Sequence, residues 1–599
     1  MGSAKVTLKE IDLSTRVASF PGLSGGIVIP AKKGPIGVPV LVTSEEQYVS
    51  IYGQPEPKLG LAHYSALAFL AQSNKLWVVR VANGALYSGA IIGSKDAASV
   101  STAVSAGIID YGQFVFSDDD KESLLITGAN QGEWASKMSW TLEPSSNYKK
   151  AYILKVYQDT DAGKELVETF EVSRLNQKDN YGKQMLFEEV INTKSAYIRV
   201  KDNPANVDAE AKPEGLFIDS LYDFHLYKEP YTLLTGETIK NAENKGTTLG
   251  TVVFDQGVYW EYIGATELTA GATINPSTFT STDTKASWRA INRNPRPVYL
   301  SKGSDGSTIT VGNLMTGADK LSNPETINVT VLLDGGFTYH AYHTHLVSIA
   351  EKRINTFAFL SADPDAENTA NTYLTEVVNY RRAGLIDSSY GALYSPHVKI
   401  YDKYNDLYVY ASPDGFAAAA MAYTARNFEM WTPPAGWDAG KLAVNGLSVN
   451  YSEEERDVLY DNGINPLKQA PNKGIAIWGQ KTLQSKPSAL DRVNVRMLLI
   501  VIEPAIMDFL DYFEFKINDQ MTRLLVDGGI RNVLSDIKAR GGLYAFEVVC
   551  DESNNTPTRI DNNEMYVDIY VKPAKSAEFI TFRTVITTTG ADFGAVKLG

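Results

Sequence analysis

The chain has 599 residues, of which 44% are hydrophobic and 21% are charged, and its formal net charge is −14 at pH 7. This composition is ordinary for a folded protein and excludes wholesale disorder, and the length predicts about three or four domains. An acidic surface repels phosphate backbones, and no dense Lys/Arg run is present, so we expect no direct nucleic-acid binding.

The only cysteine, Cys550, excludes a disulfide framework within the chain. It lies in the alternating stretch YAFEVVC, which predicts a buried structural thiol. No basic and apolar leader opens the chain, and no apolar run approaches the roughly 18–20 residues that span a bilayer. We therefore expect no membrane insertion and a protein that is made and kept in a cytoplasm.

The region before about residue 85 predicts an extended stretch followed by an α/β unit. The stretch KVTLKEIDLST alternates in part, with Val6 and Leu8 on one face. Ser44 and Gln47 form a capping-box pattern that begins a helix, and Gly53 ends it. Strands are predicted at GGIVIP, VPVLVT and KLWVVRVA, with a second helix at LAHYSALAFLAQS. Strands that alternate with helices are typical of α/β domains.

From about Asn83 to about Pro324 the sequence becomes rich in Thr, Asp, Asn and Gly, with turn signals between short strands. The predicted strands are KMSWTLE, AYILKVYQ, LVETFEVSRL, SAYIRVKD and GTVVFDQGVYWEYI. This region is interpreted as one or two all-β domains. Because the α/β pattern resumes at about Ile327, the simplest account is one α/β domain interrupted by a β-rich insertion.

After the insertion, strands and helices alternate again. Strands are predicted at INVTVLL, NTFAFLSA and SPHVKIYD, and helices at HLVSIAEKRI and NTYLTEVVNYRRAG. Near the end, RVNVRMLLIVIEPAIMDFLDYFEF predicts a helix in which Pro504 is a kink or break. A second helix is predicted over about 519–538 because apolar residues recur at three- and four-residue spacings. Three strands follow, YAFEVVC, EMYVDIYV and EFITFRTVIT.

The search for chemistry finds no catalytic, cofactor or metal residues to commit to. His340, His343 and His345 lie in HAYHTH, a spacing expected across a strand-to-helix junction, where polar loop and cap residues are the favoured interpretation. In SEEERDVLY, Ser452 and Glu455 form a helix capping box. Phosphate-loop, His-Glu-x-x-His, Cys-x-x-Cys and Gly-x-Ser-x-Gly motifs are absent from the sequence. We therefore expect a structural protein rather than an enzyme.

Three blocks together resemble the tail sheath proteins of contractile-tailed bacteriophages, most nearly the T-even-like type. They span roughly half of the chain, at both ends and in the family's order. The first block is KEIDLST, KKGPIGVPVLVTSEEQYVSIYGQP and FLAQSNKLWVVRVANG. The second is SSYGALYSPHVKIYD, ARNFEMWTPPAGW, DNGINPLKQAPNKGIAIWGQKTL and LDRVNVRMLLIVIE. The third is FEVVCDESNN and MYVDIYVKPAKSAEFITFRTVITTTGADF.

The resemblance implies a homopolymer of stacked hexameric rings that forms a helical sheath around a tail tube. Contraction of such a sheath drives the tube through the host cell envelope for genome ejection. The family has no active site and no cofactor. Its implied partners are other copies of the chain, the tail tube protein, and the baseplate and tail terminator proteins. The implied location is the virion tail, assembled in the host bacterial cytoplasm.

The fold class implied is multidomain α/β plus all-β, with an inner domain from both termini, a middle α/β domain and outer β-rich insertion domains. The expected segments are an N-terminal arm that joins the inner domain at 1–22, the middle domain at 23–85 and 326–490, the outer insertion at 86–325, the inner C-terminal domain at 491–577 and a C-terminal arm at 578–599.

The resemblance also implies terminal arms that add strands to the small C-terminal sheet of adjacent subunits. Residues 1–20 would reach up to about 65 Å when extended, and VKPAKSAE would act as a hinged tether before the last strand. The expected arm residues are Val6, Leu8, Ile11, Phe579, Ile580, Phe582, Val585 and Ile586. The expected acceptor residues are Tyr544, Phe546, Val548, Met565, Val567 and Ile569. An ordinary intrachain meander of the three last strands is the alternative.

A contact to the tube is implied for the C-terminal domain, where Arg523, Arg531 and Lys538 of the predicted 519–538 helix are the candidates. The alternative is a solvated helix face. Three other functions stay open: the sheath of a phage-tail-like bacteriocin or injection particle, a β-rich carbohydrate-processing enzyme that uses carboxylates with Trp431 or Trp437, and a metal-dependent binding module based on HAYHTH.

Overall fold

The computed structural model describes residues 22–93, 104, 106–116, 122–145, 147–148, 151–203, 252–255, 258–262, 288–291 and 297–578. The chain divides into two compact units. The terminal unit contains the described parts of Met1–Gly25, Tyr64–Lys75 and Pro324–Gly599. The insertion unit contains those of Gly26–His63 and Leu76–Asn323.

The strands of the described residues are, in chain order, β1 (Gly25–Pro30), β2 (Pro39–Val42), β3 (Leu76–Val81), β4 (Gly89–Gly93), β5 (Glu122–Gly128), β6 (Met138–Pro144), β7 (Tyr152–Thr160), β8 (Gly163–Val172), β9 (Ile198–Asp202), β10 (Val252–Asp255), β11 (Val258–Tyr262), β12 (Trp288–Ile291), β13 (Val298–Tyr299), β14 (Val331–Leu333), β15 (Phe357–Ser361), β16 (Gly391–Ser395), β17 (Val398–Asp402), β18 (Leu407–Ala411), β19 (Lys441–Leu442), β20 (Gly446–Leu447), β21 (Ile464–Ala470), β22 (Gly474–Ile477), β23 (Leu543–Val549) and β24 (Asp568–Pro573).

The helices of the described residues are α1 (Glu45–Tyr52), α2 (Ala62–Leu70), α3 (Phe187–Lys194), α4 (Val311–Asp319), α5 (His340–Arg353), α6 (Pro364–Glu367), α7 (Tyr373–Ala383), α8 (Pro413–Asn427), α9 (Gly436–Ala439), α10 (Glu453–Asp461), α11 (Val493–Leu510), α12 (Gln520–Ala539) and α13 (Pro557–Asp561).

The main sheet of the terminal unit runs in the order β19-β22-β21-β16-β15-β14. The four strands from β14 to β21 are parallel, and β22 and β19 continue the sheet antiparallel. Helices α5 and α8 both pack against β15, every residue of which is buried. Parallel strands that are covered by helices on both faces have continuous apolar sequences. For this reason FAFLS could be recognised as a strand from the sequence.

Four of the six strands of this sheet, β16, β19, β21 and β22, are not predicted from the sequence. Residues Gly391–Ser395 form β16, between β15 and β21, and all of them are buried. The predicted strand SPHVKIYD does exist as β17, but it pairs antiparallel with β18 and β20 in a separate sheet.

The insertion unit is built mainly from antiparallel strands. Sheets β4-β5-β9 and β13-β6-β7-β8 share one core, which includes Trp140, Leu154 and Phe187. In the same unit β2 and β3 pair antiparallel. The unit is not purely β, however, because α3 contributes buried side chains to that core and α4 begins at a Thr310–Asn313 capping box. Both helices were missed in the sequence.

The C-terminal part of the terminal unit consists of α11, α12 and a two-stranded sheet. Helix α11 contains Pro504 and continues to Leu510, so the proline does not end the helix. Helix α12 packs against α11 and β23, and its buried apolar residues are Val526, Ile530, Leu534 and Ile537. The chain as a whole is a multidomain α/β protein with several sheets.

Candidate functional site

The three histidines of HAYHTH lie on the first turns of α5, so the predicted strand-to-helix junction is wrong. His343 is buried, and its Nε2 lies 2.9 Å from Oδ2 of Asp334. The ring of His340 lies 4.5 Å from that of Tyr380. On a helix, residues at positions 343 and 345 point in different directions. Within the described ranges, no cluster of three or more His, Cys, Asp or Glu residues could hold a metal ion.

A buried polar network lies at the carboxyl ends of β14 and β15. Asp334 follows β14 and accepts hydrogen bonds from His343 and from the amide and hydroxyl of Ser361. Asp414 accepts from Ser65 and Ser412 at 2.6 and 2.7 Å. Because these side chains are almost fully buried, the network has no open face for a substrate, and its hydrogen bonds instead hold neighbouring strand ends together.

The two carboxyls of this network have opposite pKa shifts. Burial, and then the charge of Asp334, raise the pKa of Asp414 to about 8. Burial alone would raise the pKa of Asp334 as well, but its hydrogen bond and charge interaction with His343 bring that pKa below the ordinary value. At neutral pH the network therefore holds an ionised Asp334 beside a largely neutral Asp414.

The predicted acceptor sheet exists as a pair of antiparallel strands, β23 and β24, in which Val548 lies opposite Ile569. Among the described residues neither strand pairs with any further strand, so each has one edge without a strand partner. A sheet of two strands is marginal by itself. Open edges of this kind can accept an additional strand.

The predicted acceptor residues differ in their surroundings. Val548 is buried against α12, and Phe546, Met565, Val567 and Ile569 pack around the same core. Met565 and Val567 precede β24 rather than lie in it, so the predicted strand EMYVDIYV begins later than expected. Tyr544 is 62% exposed, and its hydroxyl lies 3.3 Å from the amide of Lys575. Most of these side chains thus contribute to their own subunit's core.

Cys550 directly follows β23 and is buried, which confirms the prediction of a buried thiol. Burial, helped by the charge of Asp527, raises the pKa of this thiol to about 11. A thiol of this kind is almost fully protonated at neutral pH and is a poor nucleophile.

The three candidate tube-contact cations have different environments. Arg523 is only 6% exposed and donates to Oδ1 of Asn518 at 2.9 Å, so its expected place on an accessible helix face is wrong. Arg531 is paired with Asp527 at 2.7 Å. Lys538 is exposed near the end of α12. Arg523 lies three residues before Val526, which places it on the buried face of the helix.

An exposed apolar surface at the α11–α12 connection was missed in the sequence. Its members, all largely exposed, are Met507, Tyr512, Phe515, Ile517, Met521 and Leu524. Phe515 combines full exposure with a φ of 63°, which is uncommon for a bulky residue. Exposed apolar patches commonly mark protein-contact surfaces.

The last described residue, Glu578, is held by side chains of the subunit body. Its carboxylate accepts hydrogen bonds from Arg492, Gln480 and Tyr460. The preceding segment differs from the predicted hinged tether, because Val571–Pro573 belong to β24 and Ser576 also contacts Gln480. The predicted arm residues Val6, Leu8, Ile11, Phe579, Ile580, Phe582, Val585 and Ile586 all lie outside the described residues.

Of the helices that the structure describes, none combines the length and the apolar character that crossing a bilayer requires.

Two models of known protein families match this chain. Residues 308–483 match the phage tail sheath protein central domain, and residues 485–587 match the phage tail sheath C-terminal domain. The two matches together cover slightly less than half of the chain. The predicted resemblance to phage tail sheath proteins is thereby confirmed.

Two relatives support this assignment. The tail sheath protein of Vibrio phage KVP40 is 33% identical over 322 residues, which cover 50% of this chain and 48% of the relative. The tail sheath protein of Enterobacteria phage T4 is 33% identical over 314 residues, which cover 49% and 47%. The chain thus spans about half the length of the curated sheath proteins it matches.

A solved structure extends the likeness in fold. The sheath tail protein of Desulfitobacterium hafniense is 11% identical, with a TM-score of 0.51, and the superposition covers 96% of this chain and 97% of that protein. At this identity the comparison shows the fold alone.

Proposed function

We propose that this sheath-family chain is the structural subunit of a contractile tail sheath, whose contraction drives an inner tube through a host cell envelope. The observation that carries the proposal is the uninterrupted succession of the central and C-terminal sheath domains over residues 308–587. No catalytic role is proposed. The work of contraction would come from the difference between two packings of the same subunits, a bistable arrangement of rigid domains.

The finer domain organisation belongs to the same proposal. The described part of residues 491–577 would form the inner domain, together with the segment 1–22. Residues 23–85 and 326–490 would form the middle domain, and 86–325 the outer insertion. The division of the family domains between residues 483 and 485 supports a boundary near the start of α11.

Neighbouring subunits would be linked by strand addition at the β23–β24 sheet. Its open edges and the exposed Tyr544 and Tyr570 support this role, because tyrosine is enriched at protein interfaces. Main-chain hydrogen bonds between an arm and the sheet would survive rotation of the domains around them. The segments proposed to supply the added strands are 1–22 and 578–599.

The other partners are proposed from the family. They are the tail tube protein, the baseplate and the tail terminator, and the location is the virion tail after assembly in the host cytoplasm. Exposed Lys538 supports a contact to an acidic tube surface, with Arg531 about two turns earlier on α12. Buried Arg523 is no longer included.

The test is electron microscopy of the purified protein. The full chain is expected to form long tubes, and removal of residues 1–20 or 579–599 is expected to leave short oligomers or single subunits. A full chain with Tyr181→Ala serves as control, because this exposed tyrosine lies in the insertion unit. Tubes of normal length from both truncated chains would refute the arm linkage.

A further inference from the structure

We infer that Glu578 is a positioning residue that fixes the point at which the C-terminal arm leaves the subunit. The inference rests on the proposed function, since it concerns the arm that would link one subunit to the next. Its structural basis is a four-residue cluster, here named the arm clamp, which consists of Tyr460, Gln480, Arg492 and Glu578.

The carboxylate of Glu578 is bound through both oxygens. Oε1 accepts from Nε of Arg492 at 2.7 Å and from Nε2 of Gln480 at 2.9 Å. Oε2 accepts from Nη2 of Arg492 at 3.0 Å and from the Tyr460 hydroxyl at 2.9 Å. A bidentate arginine pair with two further donors restrains the carboxylate far more than one surface ion pair would.

The clamp is also shielded from water. The side chains of Arg492 and Glu578 are 25% and 19% exposed. Burial works to raise the pKa of Glu578, but the hydrogen bonds from Arg492 and Gln480 outweigh it and bring the pKa below its ordinary value. Glu578 is therefore ionised at neutral pH, and its charge is matched by the guanidinium beside it.

The partners of Glu578 are themselves fixed to the subunit body. The backbone amide of Val493 donates to the carbonyl of Gln480 at 2.8 Å, which ties the start of α11 to the segment after β22. Tyr460 lies on α10. Tyr460 and Gln480 belong to the central family domain and Arg492 to the C-terminal one. The clamp therefore sits where the two domains meet.

Hydrogen bonds also attach the residues just before Glu578 to the subunit body. Nε2 of Gln480 also lies 2.6 Å from the Ser576 hydroxyl, and the amide of Ala574 donates to the carbonyl of Gly542 at 3.0 Å. Each end of the short link between β24 and the clamp is thus attached. The arm would begin from a defined place instead of from a swinging tether, which lowers the entropy lost when it pairs with another subunit.

Trypsin cleavage after Lys575 tests the clamp on unassembled protein. Lys575 is exposed, and the residues that follow the bond are the ones that the clamp restrains. Glu578→Ala is expected to speed cleavage of the bond between Lys575 and Ser576 about tenfold, measured by mass spectrometry as the appearance of peptides that begin at Ser576. Arg492→Lys, which cannot form the bidentate pair, should speed it as well. Glu552→Gln, at an exposed carboxyl outside the clamp, is the matched control.

Unchanged cleavage rates in Glu578→Ala and Arg492→Lys would overturn the inference. Equal acceleration in the Glu552→Gln control would overturn it too, since the effect would then be unrelated to the clamp. Thermal unfolding of each variant shows that the subunit body remains folded. The cleavage assay uses unassembled protein and needs no polymer. A full chain that forms no tubes would therefore refute the proposed function, but the cleavage rates would still test the clamp. Tubes formed by the full chain together with unchanged cleavage would refute the clamp alone.

Discussion

His343 and Asp334 form a fully buried hydrogen-bonded pair, with Nε2 of the imidazole 2.9 Å from Oδ2 of the carboxylate. His343→Leu would remove this donor from the buried ionised carboxylate and leave only the hydrogen bonds from Ser361 and Gly336. We expect the free energy of unfolding to fall by about 3–5 kcal/mol, which is typical when one partner of a buried pair is removed. Urea denaturation measures the change.

Thr344→Ala is the control for this variant, because it lies on the same helix and is exposed. Its effect should stay within about 0.5 kcal/mol. In the unchanged protein the lowered pKa of Asp334 gives a stabilisation that is present above its unfolded pKa of about 3.9 and lost as pH falls through the folded value. If His343→Leu lowers the free energy of unfolding no more than the Thr344→Ala control does, the assigned pairing of His343 with Asp334 is contradicted.

Asp414 should make stability depend on pH in the opposite sense. Its pKa is raised to about 8 by burial and by Asp334, so between about pH 4 and pH 8 the folded state binds a proton that the unfolded state lacks. Stability from this group is therefore present below pH 4 and is lost as pH rises toward 8, by at most about 1.4 kcal/mol per pH unit.

Asp414→Asn should remove the contribution of this group to the pH dependence of stability. An amide does not titrate, but it can still form hydrogen bonds with Ser65, Ser412 and Gly335. Denaturation midpoints between pH 5 and pH 8 provide the measurement, with Asp461→Asn at an exposed carboxyl as control. An identical pH slope in the Asp414→Asn chain would show that the group does not titrate as described.

Alanine substitutions at two adjacent glycines of α12 should change the stability of the protein in opposite directions. A Cβ at Gly529 would lie 2.0 Å from Cζ of Phe509, whereas a Cβ at Gly528 would meet nothing within 4 Å. Gly529→Ala should displace the Phe509 ring from its contact with α12 and cost about 1–3 kcal/mol. Gly528→Ala should stabilise the helix by up to about 1 kcal/mol. Thermal unfolding compares them, and a stabilising Gly529→Ala would refute the close helix approach.

The proposed tube contact predicts different effects for substitutions at Lys538 and at Arg523. Lys538→Glu should weaken co-sedimentation with the tube protein and leave the unfolding midpoint unchanged, because the side chain is exposed. Arg523→Met should instead lower stability by about 1–3 kcal/mol, because the buried guanidinium bonds Asn518. Lys194→Glu, at an exposed position at the end of α3, controls for net charge. Normal co-sedimentation of Lys538→Glu would exclude this residue from the contact.

Features with a local physical signal could be predicted from the sequence. The Ser452–Glu455 capping box forms in both directions, and Ser44 caps α1 as expected. These signals depend on residues three positions apart, so no tertiary information is needed. The ordered blocks of the second half carried the family assignment for a similar reason, since each retains its own pattern of apolar and turn residues.

Long-range placement could not be predicted in the same way. The sequence of strand β16, GALYS, shows no alternation of polar and apolar residues, because both faces of the strand are buried. Its small residues make it hard to distinguish from a loop. Met521 and Leu524 fit the apolar three- and four-residue spacing from which this helix was predicted, but they are exposed, while Arg523 shares the buried face with Val526. The three donors to Glu578 lie 86 to 118 residues away in sequence, a separation at which no periodicity gives a signal.

The arm clamp also determines how mechanical load would enter the subunit. In the proposed assembly, tension on the C-terminal arm would reach Glu578 and its partners Arg492 and Tyr460 before it reached β24, because the clamp lies between the arm and that strand. The strain would thus arrive at the joint between the central and C-terminal domains, where a change in their relative angle could relieve it. A pull from a neighbouring subunit would then bear on this joint before it reached the hydrophobic core beneath the sheet.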